Sequence, residues 1–150
     1  MALHYTNEIT INLPRKEVAE IMENPENLPL WQPGFQSIKH VSGERGSNGM
    51  ISELHYKMGK RDIHMTETIT NYGFPESFDA TYITDGVYNE QKNQLIEIDA
   101  NTTKWVSESY FKFTNFMMKV IGFLMPKSFE KQTCEYMENF KKLCESQRSA

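Results

Sequence analysis

The strongest chemical signal in this sequence is one carboxylate within an apolar strand pattern. Glu67 alternates with Met65 and Ile69, so the three side chains share one face of a predicted strand. An unpaired carboxylate is costly to bury, and burial raises its pKa toward general acid or base chemistry. Glu67 is therefore our candidate catalytic residue. The alternative is a carboxylate at a cavity rim, hydrogen-bonded to Ser52 or to water.

Other catalytic patterns are missing from the sequence. It has no Gly-x-Ser-x-Gly elbow, phosphate-binding loop, His-Glu-x-x-His or paired-cysteine metal site. His55 and His64 face each other across a predicted hairpin, but two histidines are only half a metal site and they lie on its charged face. We therefore expect no metal and no other cofactor.

Composition narrows the possible functions. The 150 residues fit one domain, and the net charge of −4 argues against binding nucleic acid. The nine Phe, seven Tyr and nine Met suit a large core or an apolar cavity. We expect no signal peptide and no transmembrane segment. Cys134 and Cys144 are too far apart on one predicted helix for a disulfide, which favours a cytoplasmic location.

Two short turns predict which strand faces point inward. Gly59-Lys60 suits a type II′ turn and Asp85-Gly86 a type I′ turn, and each gives one largely apolar and one charged face. The inward residues, our candidate ligand contacts, are then Ser52, Leu54, Tyr56, Met65, Glu67, Ile69, Phe78, Ala80, Tyr82, Asn89 and Gln91.

The last strand adds a further inward set, predicted as Trp105, Ser107, Ser109, Phe111 and Phe113. The loop at residues 99–103 leaves the register uncertain by one residue, and a slip would exchange Asn89 and Gln91 for Tyr88 and Glu90. The inward amides and serines would either orient a polar ligand group or satisfy one another.

Helical patterns flank the strands. Pro14 and Pro25 start two short helices after the first strand, and the second carries the candidate contacts Leu30 and Trp31. From Asn115 a segment that is apolar on nearly every side runs to Pro126, where the helix breaks or kinks. The candidate ligand contacts on these C-terminal helices are Phe116, Met117, Val120, Leu124, Phe129, Thr133 and Met137.

The order of elements predicts an α+β fold. A curved antiparallel sheet of six to seven strands wraps around a long C-terminal helix, with two short helices after the first strand. The motifs Leu13-Pro14-x-x-x-Val18 and Trp31-x-Pro33, with the terminal lysine-rich helix, resemble the START-like, or SRPBCC, superfamily. That resemblance implies a single helix-grip domain over residues 1–150, as in polyketide cyclases, lipid-transfer domains and the birch pollen allergen. It also implies a ligand cavity between sheet and helix, but no single activity.

We therefore expect binding or transport of a small hydrophobic molecule, such as a lipid, polyketide or aromatic metabolite. The first alternative is a cyclase or dehydratase that uses Glu67 as acid or base. The second is an interaction module that forms a homodimer through residues 116–125. Gly122 and Pro126 also make this segment a candidate lid.

Overall fold

An antiparallel sheet organises the protein, for which a computed structural model describes residues 2–148. Its strands are Ala2–Ile11 (β1), Phe35–Ser42 (β2), Ile51–Met58 (β3), Arg61–Gly73 (β4), Ser77–Thr84 (β5), Val87–Asp99 (β6) and Thr102–Phe113 (β7). The helices are Arg15–Glu23 (α1), Leu28–Trp31 (α2), Phe116–Leu124 (α3) and Pro126–Arg148 (α4). The strand order β1-β7-β6-β5-β4-β3-β2 places the first strand beside the last. This is the predicted α+β arrangement.

The prolines and asparagines that predict helix starts lie at those starts. Pro14 directly precedes α1. The Asn24 side chain accepts a hydrogen bond from the backbone N–H of Glu26 at 3.0 Å, in a single 3₁₀ turn over Pro25–Asn27 that leads into α2. Pro126 separates α3 from α4, so the predicted break is confirmed.

Both short hairpins have the predicted register. Ser52 lies opposite Glu67 across β3 and β4, and Tyr82 lies opposite Asn89 across β5 and β6. The turn type predicted for the second hairpin is wrong, because its glycine, Gly86, has φ of 78° and no non-glycine residue has a positive φ in the described chain. A type I′ turn needs positive φ at both central residues. The register survives because the loop still has two residues.

The structure also resolves the register of the last two strands. Asn89 pairs with Phe111 and Gln91 with Ser109, so both amides lie on the inward face as predicted. The irregularity in this ladder falls between residues 97 and 99, beside the connecting loop. It therefore leaves the inward face of β6 unchanged.

The hydrophobic core occupies one end of the sheet. Trp31, Trp105 and Phe140 pack edge to face, with ring centroids 5.0 to 6.0 Å apart. The buried residues around them are Ile11, Leu13, Val18, Ala19, Leu95, Met137 and Cys144. Helix α4 lies closest to β1, α2 and α3, and it also reaches β3, where the Gln132 amide lies 3.8 Å from the Met58 sulfur. On the inner face of the central strands Leu54, Ile69 and Ala80 are buried, whereas Met65 and Phe78 are half-buried.

Helix α3 is turned the opposite way from the sequence prediction. Gly122 is buried against Phe113, and a Cβ built on Gly122 would lie 2.5 Å from a ring atom of Phe113. The helix lies closest to the sheet at Gly122, which has no side chain, and this contact sets the rotation of α3 about its own axis. The residues predicted to face the cavity are instead exposed: Phe116 (83%), Met117 (67%), Val120 (38%) and Leu124 (68%). The placement of Leu30 is likewise corrected, because its side chain is 62% exposed.

The β5–β6 turn holds the start of α3. The Asn115 side chain caps the helix by accepting a hydrogen bond from the Met118 backbone N–H at 2.9 Å. The Thr114 backbone N–H donates to the Gly86 carbonyl at 2.8 Å. A Cβ on Gly86 would lie 2.2 Å from the Asn115 amide nitrogen, so only glycine permits this approach.

A Gly122→Val substitution should lift α3 off the sheet. Its new side chain would overlap the Phe113 ring, and overpacking of this kind typically costs about 1–3 kcal/mol. Amide hydrogen exchange should rise across residues 116–124, while a denaturant melt reports the lost stability. Lys119→Val is the matched control, since it places the same side chain on an exposed position of the same helix. Unchanged exchange in Gly122→Val would contradict the contact.

Candidate ligand-binding site

A row of polar side chains crosses the inner face of the sheet. Ser52 pairs with Glu67, Glu67 with Tyr82 and Tyr82 with Asn89, on four successive strands from β3 to β6. The row then meets Phe111 on β7. Directly opposed side chains have Cβ atoms about 4.5–5.5 Å apart, so these residues form one continuous strip. On β7, Phe111 lies between Trp105 in the core and the strand end on which α3 rests, which places the strip between these two regions.

Glu67 is a buried carboxyl that favours its protonated form. Its side chain is 8% exposed, and burial raises its pKa. The Tyr82 hydroxyl lies within hydrogen-bonding reach and lowers that pKa by a smaller amount. Among the residues that the structure describes, no basic side chain forms an ion pair with Glu67. A protonated carboxyl can both donate and accept hydrogen bonds.

Three phenols accompany this carboxyl and remain neutral. Burial and the neighbouring Glu67 raise the pKa of Tyr82 well above its usual value. Burial also raises the pKa of Tyr56, whose hydroxyl donates to the Gln32 side-chain oxygen at 2.5 Å. On α4, burial raises the pKa of Tyr136 to about 12. Glu67 and these three phenols therefore offer hydrogen bonds, and none of the four side chains is a cation.

The other inward polar residues satisfy one another. The Ser109 hydroxyl donates to the Gln91 side-chain oxygen at 2.9 Å, and Ser107 lies 3.5 Å from the same oxygen. Gln91 in turn donates to the side-chain oxygen of Asn89 at 3.1 Å. Of the two alternatives that the sequence left open, the structure shows mutual hydrogen bonding within the sheet.

The predicted residues of the sheet divide into two groups by exposure. Those that are buried are Ser52, Leu54, Tyr56, Glu67, Ile69, Ala80, Trp105, Ser107, Ser109 and Phe113. Those that are half-buried are Met65, Phe78, Tyr82, Asn89, Gln91 and Phe111. Trp31 belongs to the core rather than to this strip. The half-buried group retains accessible surface on the inner face of the sheet.

The predicted residues of α4 face the sheet. Phe129 packs against Phe111 and Phe113, with ring centroids 5.1 and 5.2 Å apart. Thr133 shares a 2.9 Å hydrogen bond with the Tyr5 hydroxyl, and Met137 is buried in the core. Helix α4 therefore closes the space beside β1 and β7 with aromatic rings.

Two surface clefts lie away from Glu67. One, of about 500 Å³, is at the α3–α4 junction and is lined by Leu124, Met125, Pro126, Lys127, Ser128 and Lys131. Another, of about 440 Å³, lies between Pro14 and Asn101. Neither includes the polar strip.

The two histidines lie outside this region. Their rings stack at 4.3 Å on the opposite side of the hairpin, and His55 hydrogen-bonds Asp62 at 2.9 Å. Within residues 2–148 no group of three or more histidines, cysteines or acidic residues is placed to hold a metal ion.

Solved structures share the architecture, although no protein-family model and no curated protein matches the sequence. The Zhui aromatase/cyclase from a Streptomyces species has a TM-score of 0.74 at 13% identity, over 97% of this chain and 94% of that one. A conserved protein from Geobacillus kaustophilus has a TM-score of 0.78 at 12% identity, over 96% of both chains. The chain has the helix-grip fold. A Thalictrum flavum norcoclaurine synthase mutant, in complex with a transition state analogue, has a TM-score of 0.71 at 14% identity, over 99% and 97% of the two chains.

The TM-scores show that the chain has the helix-grip fold, but identities of 12% to 14% do not assign it an activity. Two of the solved proteins are an aromatase/cyclase and a norcoclaurine synthase, and those activities belong to the proteins concerned. In this helix-grip chain, what a ligand would meet is the strip around Glu67. Function must therefore be argued from that strip.

Sequence reasoning missed three side chains near the strip. Tyr5 stacks on Phe111 at 5.9 Å, and its alternation with inward Ile9 on β1 was a usable signal. Tyr136 lies three residues after Thr133, a spacing that keeps both on one helical face. Gln32 follows α2 and carried no comparable signal, because its position near Tyr56 depends on how the short helices close the fold.

Proposed function

We propose that the protein binds a small, largely apolar molecule whose neutral polar group contacts Glu67 and Tyr82. The observation that supports this is a buried carboxyl with no ion-pair partner among residues 2–148, in a strip of inward polar side chains of which Tyr82 and Asn89 are half-buried. A buried polar group of this kind gains by hydrogen bonding to a ligand. Leu54, Met65 and Phe111 flank the strip and offer apolar contact to the rest of the molecule.

The chemistry of the strip favours a ligand hydroxyl or carbonyl over an ion. A protonated Glu67 donates to a carbonyl and accepts from a hydroxyl, and the Tyr82 phenol does the same. A ligand carboxylate would find no cation to compensate the cost of its own burial. Lipids, polyketides and aromatic metabolites with neutral polar groups meet both conditions.

A second candidate function is general acid catalysis on such a ligand. The raised pKa of Glu67 favours it, because burial keeps the carboxyl protonated to higher pH than an exposed glutamate and so prepares it to donate a proton. Donation to a carbonyl would promote cyclisation, and donation to a hydroxyl would promote loss of water. Tyr82 would then hold the carboxylate that remains.

The thiols support a cytoplasmic location. Cys134 is exposed and Cys144 is buried, and both are free. Free thiols persist in reducing compartments. We therefore propose that the protein is cytoplasmic.

Native mass spectrometry of the purified protein tests ligand binding directly. We expect a co-purifying small molecule with the wild type and lower occupancy in Glu67→Gln, because the amide replaces the O–H donor of the protonated carboxyl and a hydrogen bond between neutral groups is worth about 0.5–1.5 kcal/mol. Tyr82→Phe should lower occupancy in the same direction. Glu53→Gln is the matched control, since Glu53 lies on the same strand as Ser52 but is exposed on the outer face.

The outcome for the bound molecule separates binding from catalysis. A binding protein should release it chemically unchanged, with weaker affinity in Glu67→Gln. An enzyme should convert it, and Glu67→Gln should retain binding but lose turnover. If Glu67→Gln matches Glu53→Gln in both occupancy and turnover, the proposed site is wrong.

A further inference from the structure

A contiguous apolar surface covers the outward side of α3. We call it the α3 patch, and its members are Phe116, Met117, Val120, Phe123, Leu124 and Met125. The two phenylalanines are the most exposed, at 83% for Phe116 and 74% for Phe123. At 3.6 residues per turn the five patch residues within α3 fall in a sector of about 120°. A surface of this kind on a protein in water marks an interaction site.

The segment that carries the patch is basic although the chain is acidic overall, with a net charge of −4. Between Glu108 and Glu130 there is no acidic residue, whereas Lys112, Lys119 and Lys127 all fall there. All three lysines are exposed. From the neighbouring turn, Asp85 lies 3.5 Å from the Asn115 amide that caps α3. The patch therefore combines apolar side chains with lysines of its own segment.

The fold presents the patch outward instead of covering it. Gly122 rests on Phe113, and Asn115 caps the helix over the β5–β6 turn. These contacts turn the apolar side of α3 away from the sheet. None of the helices in residues 2–148 is long and apolar enough to cross a membrane. An amphipathic helix with flanking lysines can instead lie in the interface of a bilayer.

We propose that the α3 patch docks on an anionic phospholipid surface. Its phenylalanines enter the boundary between headgroups and acyl chains, while Lys119 and Lys127 contact lipid phosphates. The patch continues into the cleft of about 500 Å³ at the α3–α4 junction, where Lys127 and Lys131 lie beside Leu124 and Met125. This proposal does not depend on what the Glu67 strip binds.

Charge also argues against a second copy as the occupant. A two-fold dimer brings the same patch together from both subunits. Lys119 and Lys127 would then approach their own copies with no acidic residue nearby in sequence to compensate them. An anionic surface provides that compensation.

Vesicle co-sedimentation of the full chain tests the proposal. We expect binding to vesicles of phosphatidylserine with phosphatidylcholine, and much weaker binding to phosphatidylcholine alone or at high salt. The double variant Phe116→Ser with Phe123→Ser should lower the partition coefficient by at least about tenfold. Lys119→Glu should lower it by about fivefold or more. Ile98→Ser and Lys60→Glu are matched controls at other exposed positions and should bind as the wild type does.

Three results would overturn the proposal. One is equal binding to neutral and anionic vesicles, and another is equal loss of binding in the control variants. The third is a stable dimer without lipid that Phe116→Ser with Phe123→Ser separates into monomers, since the patch would then be a protein interface. Melting temperatures should match across all variants, because each changed side chain is exposed. The binding of the wild type to vesicles of different lipid composition and at different salt concentrations tests the proposal without any variant.

Discussion

Replacing Glu67 with glutamine should make the protein more stable than the wild type at neutral and alkaline pH. Burial raises the pKa of the Glu67 carboxyl, and no basic side chain that the structure describes forms an ion pair with its negative form. Glutamine is similar in shape to the protonated acid and never has to ionise. Because Glu67 has no ionic partner, the substitution leaves no stranded charge.

The direction of the pH effect follows from proton linkage. The folded-state pKa of Glu67 lies above its value in the unfolded chain, so the folded protein binds more protons between the two. The contribution of Glu67 to stability is complete below the unfolded-state pKa. It is lost as the pH rises through the folded-state pKa. Each tenfold preference of the folded state for the protonated form corresponds to about 1.4 kcal/mol.

Urea melts across the acid to mildly alkaline range measure this effect. The free energy of unfolding of Glu67→Gln should match that of the wild type in acid and exceed it progressively as the pH rises. Glu53→Gln, on the exposed face of the neighbouring strand, should follow the wild type throughout. A Glu67→Gln variant that loses stability mainly at high pH would instead show that Glu67 is an ionised group with a partner.

Truncation of Phe140 to alanine should cost about 3–5 kcal/mol of unfolding free energy. Its side chain is 0% exposed, and its ring packs at 5.0 Å on Trp31 and 5.1 Å on Trp105. It joins α4 to α2 and β7 within the core. The loss would be a large fraction of the stability of a domain of this size.

Denaturant unfolding followed by tryptophan fluorescence measures this loss, because the two tryptophans contact the deleted ring. Phe123→Ala is the matched control, since Phe123 is 74% exposed on the neighbouring helix. Its unfolding free energy should stay within about 0.5 kcal/mol of the wild type. Similar losses in both variants would mean that the core does not depend on the contact of Phe140 with the tryptophans.

The sequence by itself determined the inner face of the sheet. In a two-residue hairpin the register follows from the position of the turn, and a side-chain period of two then assigns every residue to a face. The alignment of Ser52 with Glu67, and of Tyr82 with Asn89, is of this kind. Local backbone geometry is enough to predict such pairs, so the candidate strip could be recognised before the fold.

The sequence was less able to predict features that depend on exact backbone angles. Asp85-Gly86 gave the correct loop length but the wrong turn type, since Asp85 avoids a positive φ. The loop between β6 and β7 is longer, and its length does not fix how the two strands pair. Only the structure shows that Gln91 lies opposite Ser109, so that the inward residues of both strands share one face.

Only the tertiary structure decided the orientation of α3 and the surroundings of Glu67. A helix that is apolar on nearly every side has no pattern to indicate its buried face, so packing decides it. Gly122 allows the closest approach to Phe113, and that contact directs Phe116 and Phe123 outward. Likewise, alternation placed Glu67 inward, but only the folded chain shows the Tyr82 hydroxyl beside it and, within residues 2–148, no ion pair to it. The orientation of α3 and the surroundings of Glu67 both depend on contacts between residues that are distant in sequence, and local sequence patterns do not predict such contacts.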